Sequence, residues 1–527
     1  MSSVSFRIVV CLAGGFLLVT ASCGPTGTFS NEAAVQTKRD PENEPALASV
    51  EVTDTAGVEA GRTSPMPTPT LHSEITATPT LAAMPIPTLT GPPYTYHTIQ
   101  PGETIGYLAL RYDISIEALV AMNHLDGPEA IIQANQQLRV PIEVETVAPA
   151  QSLLPDSEVV YGPAYVDFDV AGFINDQGGY LATYEEYVDG QLMSGAEIVE
   201  QVAQQFSVGP RLLLALLEHY GRWVSNPSPS EAQLNAPLGP HNPRGEFYRA
   251  LEFTANRINA GYYGYKRDGF WIFEHPDGSL ALTPTGVNAG TVGVQNILAI
   301  HSTQEIWNQE LGPTGFMADY RALFAEPKTY AIEPLIPITL TQPTLMLPWR
   351  EGQGFYYTGG PHPAFVDGSA WAAIDFGPPD VLGNCFYSDE PNTAAADGVI
   401  VVAKQGEVQL DLDGDGNIQT GWVLLYLHMA LDIDTPVQVG QRVAAGDVIG
   451  YASCEGGLSS ASHLHFARRY NGEWMDAAGP VPLDLAGWVV QPNVLPYAGA
   501  IKHGTEVREP CECWDPDVNL IVHSGRN

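Results

Sequence analysis

Ser462-His463-Leu464-His465-Phe466 places two imidazoles two residues apart among small and apolar side chains. On a β-strand, residues i and i+2 face the same side, so both imidazoles project together and Leu464 faces away. Such a pair suits a metal ligand beside a proton-transfer group. Three further motifs supply partners. Gly359-Gly360-Pro361-His362 is a turn ending in histidine, and Leu425-Tyr426-Leu427-His428-Met429 puts a histidine at a strand end. Trp371-Ala372-Ala373-Ile374-Asp375-Phe376 is an apolar strand with one carboxylate, which is costly to bury unless it is paired or binds a metal. His362, Asp375 and His465 together give two nitrogens and one oxygen, the ligand set of a catalytic zinc with an open fourth position. His428 and His463 remain for proton transfer. The alternative, unconnected surface histidines, needs four coincidences in a chain with only 13 histidines.

The elements that must hold these groups lie in residues 346–500. Short runs such as 398–403, 407–410, 422–427 and 442–445 alternate with Gly and Asp turns, the signature of an antiparallel β-domain. Between two of them, Asp411, Asp413 and Asp415 with Gly416 are similar to the opening of a calcium loop, but Trp422 stands where a bidentate glutamate is needed. A calcium-stabilised hairpin and a plain acidic turn both fit. Setting aside Cys11 and Cys23, four cysteines remain, which allow three pairings. Cys385–Cys454 is the preferred bridge. Cys511 and Cys513 are too close for a comfortable one, and a zinc site from all four cysteines would lack Cys-x-x-Cys spacing.

The β-domain resembles the lysostaphin-type zinc metallopeptidases, in their β-lytic branch. The carriers are Gly360-Pro361-His362 thirteen residues before Asp375, the Gly-rich 437–450 stretch, Ser453-Cys454-Glu455-Gly456-Gly457, His463-Leu464-His465-Phe466 and Tyr470-Asn471-Gly472. The commoner His-x-x-x-Asp branch would need histidine at Trp371. The resemblance implies His362, Asp375 and His465 as zinc ligands, His428 and His463 as catalytic histidines, and peptide cross-bridges of peptidoglycan as substrate.

Upstream, Arg7 and the apolar 8–19 run form a signal peptide over residues 1–23. It is similar to a lipoprotein signal that would lipidate Cys23, with Thr20 a departure; simple secretion is the alternative. Residues 24–93, rich in Pro, Thr and Ser, are expected to be a disordered tether. Residues 94–141 read as a β-α-α-β unit. They resemble a LysM glycan-binding domain through Gly102-Glu103-Thr104, residues 111–115, Asn123 and Gln137-Leu138-Arg139-Val140-Pro141, with Asn135 where glycine is usual. After a linker (142–160), residues 161–345 read as mostly helical. They resemble a degenerate lysozyme-like fold, with Tyr220 at the acid position and Glu218 nearby, read as a helix-surface glutamate. Residues 501–527 are expected to be a tail.

The fold class is therefore multidomain α+β: LysM module, helical domain, antiparallel β-sheet peptidase. A balance of 23 basic against 60 acidic residues gives −37, which disfavours nucleic acid as a partner. The expected protein is an extracytoplasmic zinc endopeptidase of the bacterial envelope. It would be targeted to peptidoglycan by LysM and reach the membrane through lipid on Cys23. The alternative is an inactive peptidoglycan-binding scaffold or activator of another hydrolase.

Overall fold

In the computed structural model, Tyr94–Thr98 pairs antiparallel with Gln137–Pro141, and two short helices lie between them. Thr104 and Ser115 cap these helices by accepting from the backbone N–H groups of Tyr107 and Ala118. Asn123 ends the second helix and ties it to the closing strand, bonding Leu119 O, Arg139 O and Arg139 N. Asn135 takes φ +70°. This β-α-α-β unit is the expected one. The structure describes residues 82–88, 91–243, 245–430 and 437–525. The signal peptide, Cys23 and most of the tether lie outside them, and no described helix is long and apolar enough to cross a membrane.

The helical domain forms because its apolar residues recur at helical spacing, and some of its helix starts are capped. Gly195–Phe206 begins at a capping box between Ser194 and Glu197. Pro210–Gly221 is buried almost throughout, as its all-round apolar sequence requires. Phe247–Asp268 packs along Ala289–His301. Residues 82–88 correct the tether expectation. Ala83 bridges Pro337, Met84 N donates to Ile336 O at 3.1 Å, and Met84 and Ile86 pack on the helical core. These two apolar side chains provide the burial that the upstream Pro/Thr/Ser sequence lacks.

The β-domain is built on one antiparallel sheet. Along it run Arg442–Val443, Gly398–Lys404, Glu407–Asp411, Trp422–Leu427, Leu464–Tyr470, Ala373–Gly377, Gly354–His362 and Leu520–Val522. The last strand corrects the expected tail, since Leu520 pairs with Tyr356 and Ile521 is fully buried. The chain after residue 500 therefore closes the sheet edge beside the strand that carries His362.

The helical domain docks on the back of the site. Glu473 is buried against Lys266 and Tyr262, and Tyr263 Oη accepts from Trp474 N at 3.1 Å. The segment joining His362 to the Asp375 strand lies on the Phe247–Asp268 helix. Asn256 Nδ2 donates to Asp367 at 2.7 Å, Asn256 Oδ1 accepts from Gly368 N at 2.9 Å, and Phe365 meets Phe206 edge to face.

Candidate metal centre

Strand register brings the predicted groups together. Asp375 and His465 are direct partners across the Ala373–Gly377/Leu464–Tyr470 pair, so their side chains share a face. On the other side Asp375 is opposite Gly359, three residues before His362. A Cβ at Gly359 would meet Asp375 Oδ2 at 2.5 Å, so glycine there makes room for the carboxylate.

Asp375 Oδ1 lies 3.2 Å from His465 Nδ1, 3.4 Å from His362 Nε2 and 3.5 Å from His463 Nε2. The other ring nitrogens face carbonyls: His362 Nδ1 is 2.8 Å from Gly360 O, and His465 Nε2 is 2.8 Å from Ala364 O. A carbonyl only accepts, so those nitrogens carry the protons. His362 Nε2 and His465 Nδ1 then face each other as lone pairs at 3.0 Å. Asp375 Oδ1 beside them is buried without a hydrogen-bond partner. Two lone pairs and an anion converging in a dry site require a cation, and the three ligand atoms lie within 4.8 Å of one another. The residues fit a metal.

Burial would raise the Asp375 carboxyl, but the His362 and His463 imidazoles hold it well below the usual carboxylate range. Burial lowers His362, yet Asp375 raises it further. His465 ends low, through burial and through His362 and His463.

His428 and His463 stand beside this cluster, their ring centroids 4.5 Å apart. His428 adopts φ +63° at the strand end, a conformation that turns its ring into the site. Its Nδ1 faces Glu455 O at 2.7 Å, and His463 Nδ1 faces Ala461 O at 2.8 Å. Both Nε2 atoms are thereby the free bases. Burial, then repulsion from His463 and His465, pushes the His428 imidazole down to about 3. His428, His463 and His465 also form a second triad within metal-binding distance, but it lacks the unpartnered carboxylate.

Sequence reasoning missed Tyr497. It stacks on His362 at 4.2 Å and 14°, and its backbone bonds Pro361 O and Gly360 N. Nothing in its local sequence marks it, since it lies over thirty residues beyond His465 in an irregular stretch.

The other candidate sites lie apart. Trp371 is buried under the Arg267 guanidinium at 4.4 Å and belongs to the interdomain contact. Cys385 and Cys454 form a disulfide with Cα atoms 5.6 Å apart. Cys511 and Cys513, whose partners the sequence leaves open, are also joined, with Cα atoms 5.2 Å apart. Glu218 is buried rather than on a helix surface. It accepts from Ser225 N, Ser225 Oγ and Arg222. Asp411, Asp413 and Asp415 cluster within 4.8 Å, but Asp411 already accepts from three backbone N–H groups and Trp422 is a buried strand residue.

Comparison with known proteins places these domains. Residues 97–141 match the LysM domain, 152–338 the LasA N-terminal domain, and 386–477 peptidase family M23. The chain is 26% identical over 346 residues to Protease LasA of Pseudomonas aeruginosa strain UCBPP-PA14, covering 62% of this chain and 75% of the relative. The chain is homologous to the LasA-type and lysostaphin-type M23 peptidases. The chain is also 30% identical over 127 residues to the glycyl-glycine endopeptidase ALE-1 of Staphylococcus capitis, covering 23% of this chain and 30% of that one. Among solved structures, the deep-sea M23 metalloprotease pseudoalterin aligns at 21% identity and TM-score 0.27, over 33% of this chain and 98% of its own. The helical segment that resembles lysozyme in sequence thus corresponds to a LasA-type N-terminal domain. The M23 match contains His428, His463 and His465; His362 and Asp375 precede it.

Proposed function

We propose that this chain is a zinc endopeptidase that hydrolyses peptide cross-bridges of peptidoglycan, outside the cytoplasm, with LysM holding it on the glycan. The observation that carries the reading is the unpartnered Asp375 carboxylate oxygen facing the lone pairs of His362 and His465, with the His428/His463 pair alongside. ALE-1, by name a glycyl-glycine endopeptidase, supports the peptide class of substrate.

His362 Nε2, Asp375 Oδ1 and His465 Nδ1 would hold the metal. Zinc, when bound, acidifies a coordinated water and polarises the scissile carbonyl. His463 Nε2 or His428 Nε2, each a free base because its Nδ1 proton is held by a carbonyl, takes the proton from the attacking water. The same histidine returns it to the leaving amine. Burial keeps His428 neutral, so its Nε2 carries no proton. Tyr497 and the 360–362 turn wall the site on the His362 side.

Full-length protein on a peptidoglycan zymogram tests this. The wild type clears the wall and His465→Ala does not; equal clearing by both would overturn the proposal.

A further inference from the structure

Resting on the proposed roles of His428 and His463, we infer that the Cys385–Cys454 bridge and Ser462 are positioning residues for this histidine pair, acting through the 454–462 loop. Both histidines take their orientation from that loop. The Glu455 carbonyl accepts from His428 Nδ1 at one end, and the Ala461 carbonyl accepts from His463 Nδ1 at the other. Ser459 Oγ lies 3.2 Å from His463 Nδ1 and belongs to the same loop. If these two carbonyls move, both rings lose the constraint that leaves Nε2 as the base.

The start of the loop lies against Gln405 and Gly406, and its middle is open to solvent. Gly456 and Gly457 take φ +81° and +150°, and Leu458 is 82% exposed. Its two ends are fastened to one short segment, residues 384–386. Cys454 is bonded to Cys385. Ser462, fully buried, donates from N to Asn384 O at 2.9 Å and from Oγ to Phe386 O. Tyr387 adds a bond from its hydroxyl to the Glu455 carboxylate at 2.7 Å. The covalent link and the buried serine thus clamp the loop at the two residues next to its two histidine-orienting carbonyls. The ligand residues His362, Asp375 and His465 take most of their ring and carboxylate contacts from Gly360, Ala364 and one another, outside the loop, although Asp375 Oδ1 also meets the loop-oriented His463 Nε2 at 3.5 Å. Loosening the clamp should therefore disturb proton transfer and leave metal binding intact. A bridge that only staples the fold would show no such separation.

The test uses the full-length zinc-loaded protein as wild type, as the double variant Cys385→Ser/Cys454→Ser, and as Ser462→Ala. Three quantities are read: zinc content, kcat and KM on soluble cross-linked muropeptide, and the imidazole ¹⁵N shifts that distinguish the Nδ1–H from the Nε2–H tautomer. We expect zinc content and KM to stay at wild-type values and kcat to fall roughly 10- to 100-fold, the cost of misplacing reacting groups by about an ångström. We also expect the His428 and His463 signals to change from pure Nδ1–H to a tautomer mixture. Wild-type kcat and tautomers in a bridge-free folded protein would overturn the inference. So would parallel loss of zinc and activity in both variants. The tautomer reading needs no turnover, so a wild type that binds zinc but cleaves nothing counts against the proposed reaction while the shifts still decide the positioning.

Discussion

Asp375 and His465 are hydrogen-bond-register partners on neighbouring strands, and their side-chain atoms Oδ1 and Nδ1 meet at 3.2 Å. One residue of slip in that pairing would send one of them to the opposite face of the sheet. The proposed metal centre is thus positioned by sheet register. Asp375→Asn keeps the shape but removes the anion between the two lone pairs. Zinc affinity, measured by chelator competition, should fall by more than roughly 100-fold, beyond what loss of a mere supporting contact costs, while the melting temperature of the zinc-free protein holds or rises.

His428→Ala should behave differently. His428 lies beside the ligand cluster, and its ring pairs with His463. Zinc content should stay at one equivalent while kcat falls about 10²- to 10⁴-fold, the range for loss of a general acid–base. Loss of zinc in this variant would shift the ligand assignment to the His428, His463 and His465 triad.

Gly368 sits against the Phe247–Asp268 helix so closely that a Cβ would meet Asn256 O at 2.2 Å. Gly368→Ala must lift the 363–370 segment off the helix, at a cost of about 1–3 kcal/mol for an overpacked contact. Because Ala364 O orients His465, zinc should also dissociate faster. Unchanged stability and unchanged zinc off-rate would show that this docking does not support the site.

His301 gives the helical domain its own acid sensitivity. Burial, then the facing His241, pushes its imidazole down to about 3 from 6.5, and its Nε2 is buried without a partner. The unfolded chain binds a proton there below about pH 6.5, and the folded chain resists until about 3. The stability that depends on a neutral His301 is therefore complete above 6.5. It falls by about 1.4 kcal/mol per pH unit on acidification toward 3. Thermal melts between pH 7 and 4 should show a shallower decline for His301→Phe than for wild type; equal slopes would contradict this account.

The clustering of His362, Asp375 and His465 was legible because period-two geometry and burial cost each leave a mark: His-x-His on one strand, and a solitary Asp375 in an apolar run. The parts that were not legible depend on distant contacts. Tyr497 reaches His362 only through an irregular turn. Glu218 reads as exposed by helix position, yet Ser225 and Arg222 fold back from beyond the helix end to bury it. Residues 82–88 and 520–522 follow tether-like and tail-like sequence, but a few apolar side chains, Met84, Ile86 and Ile521, are enough to dock them.

The central claim is hydrolysis of peptide, not glycan, bonds by the His362/Asp375/His465 centre. Mass spectrometry of purified peptidoglycan digested by the zinc-loaded full-length protein tests it most directly, with His465→Ala in parallel. The account predicts new peptide termini within the cross-bridges, intact glycan strands, and neither product with His465→Ala. Cut glycan strands, or the same peptide products from His465→Ala, would contradict it.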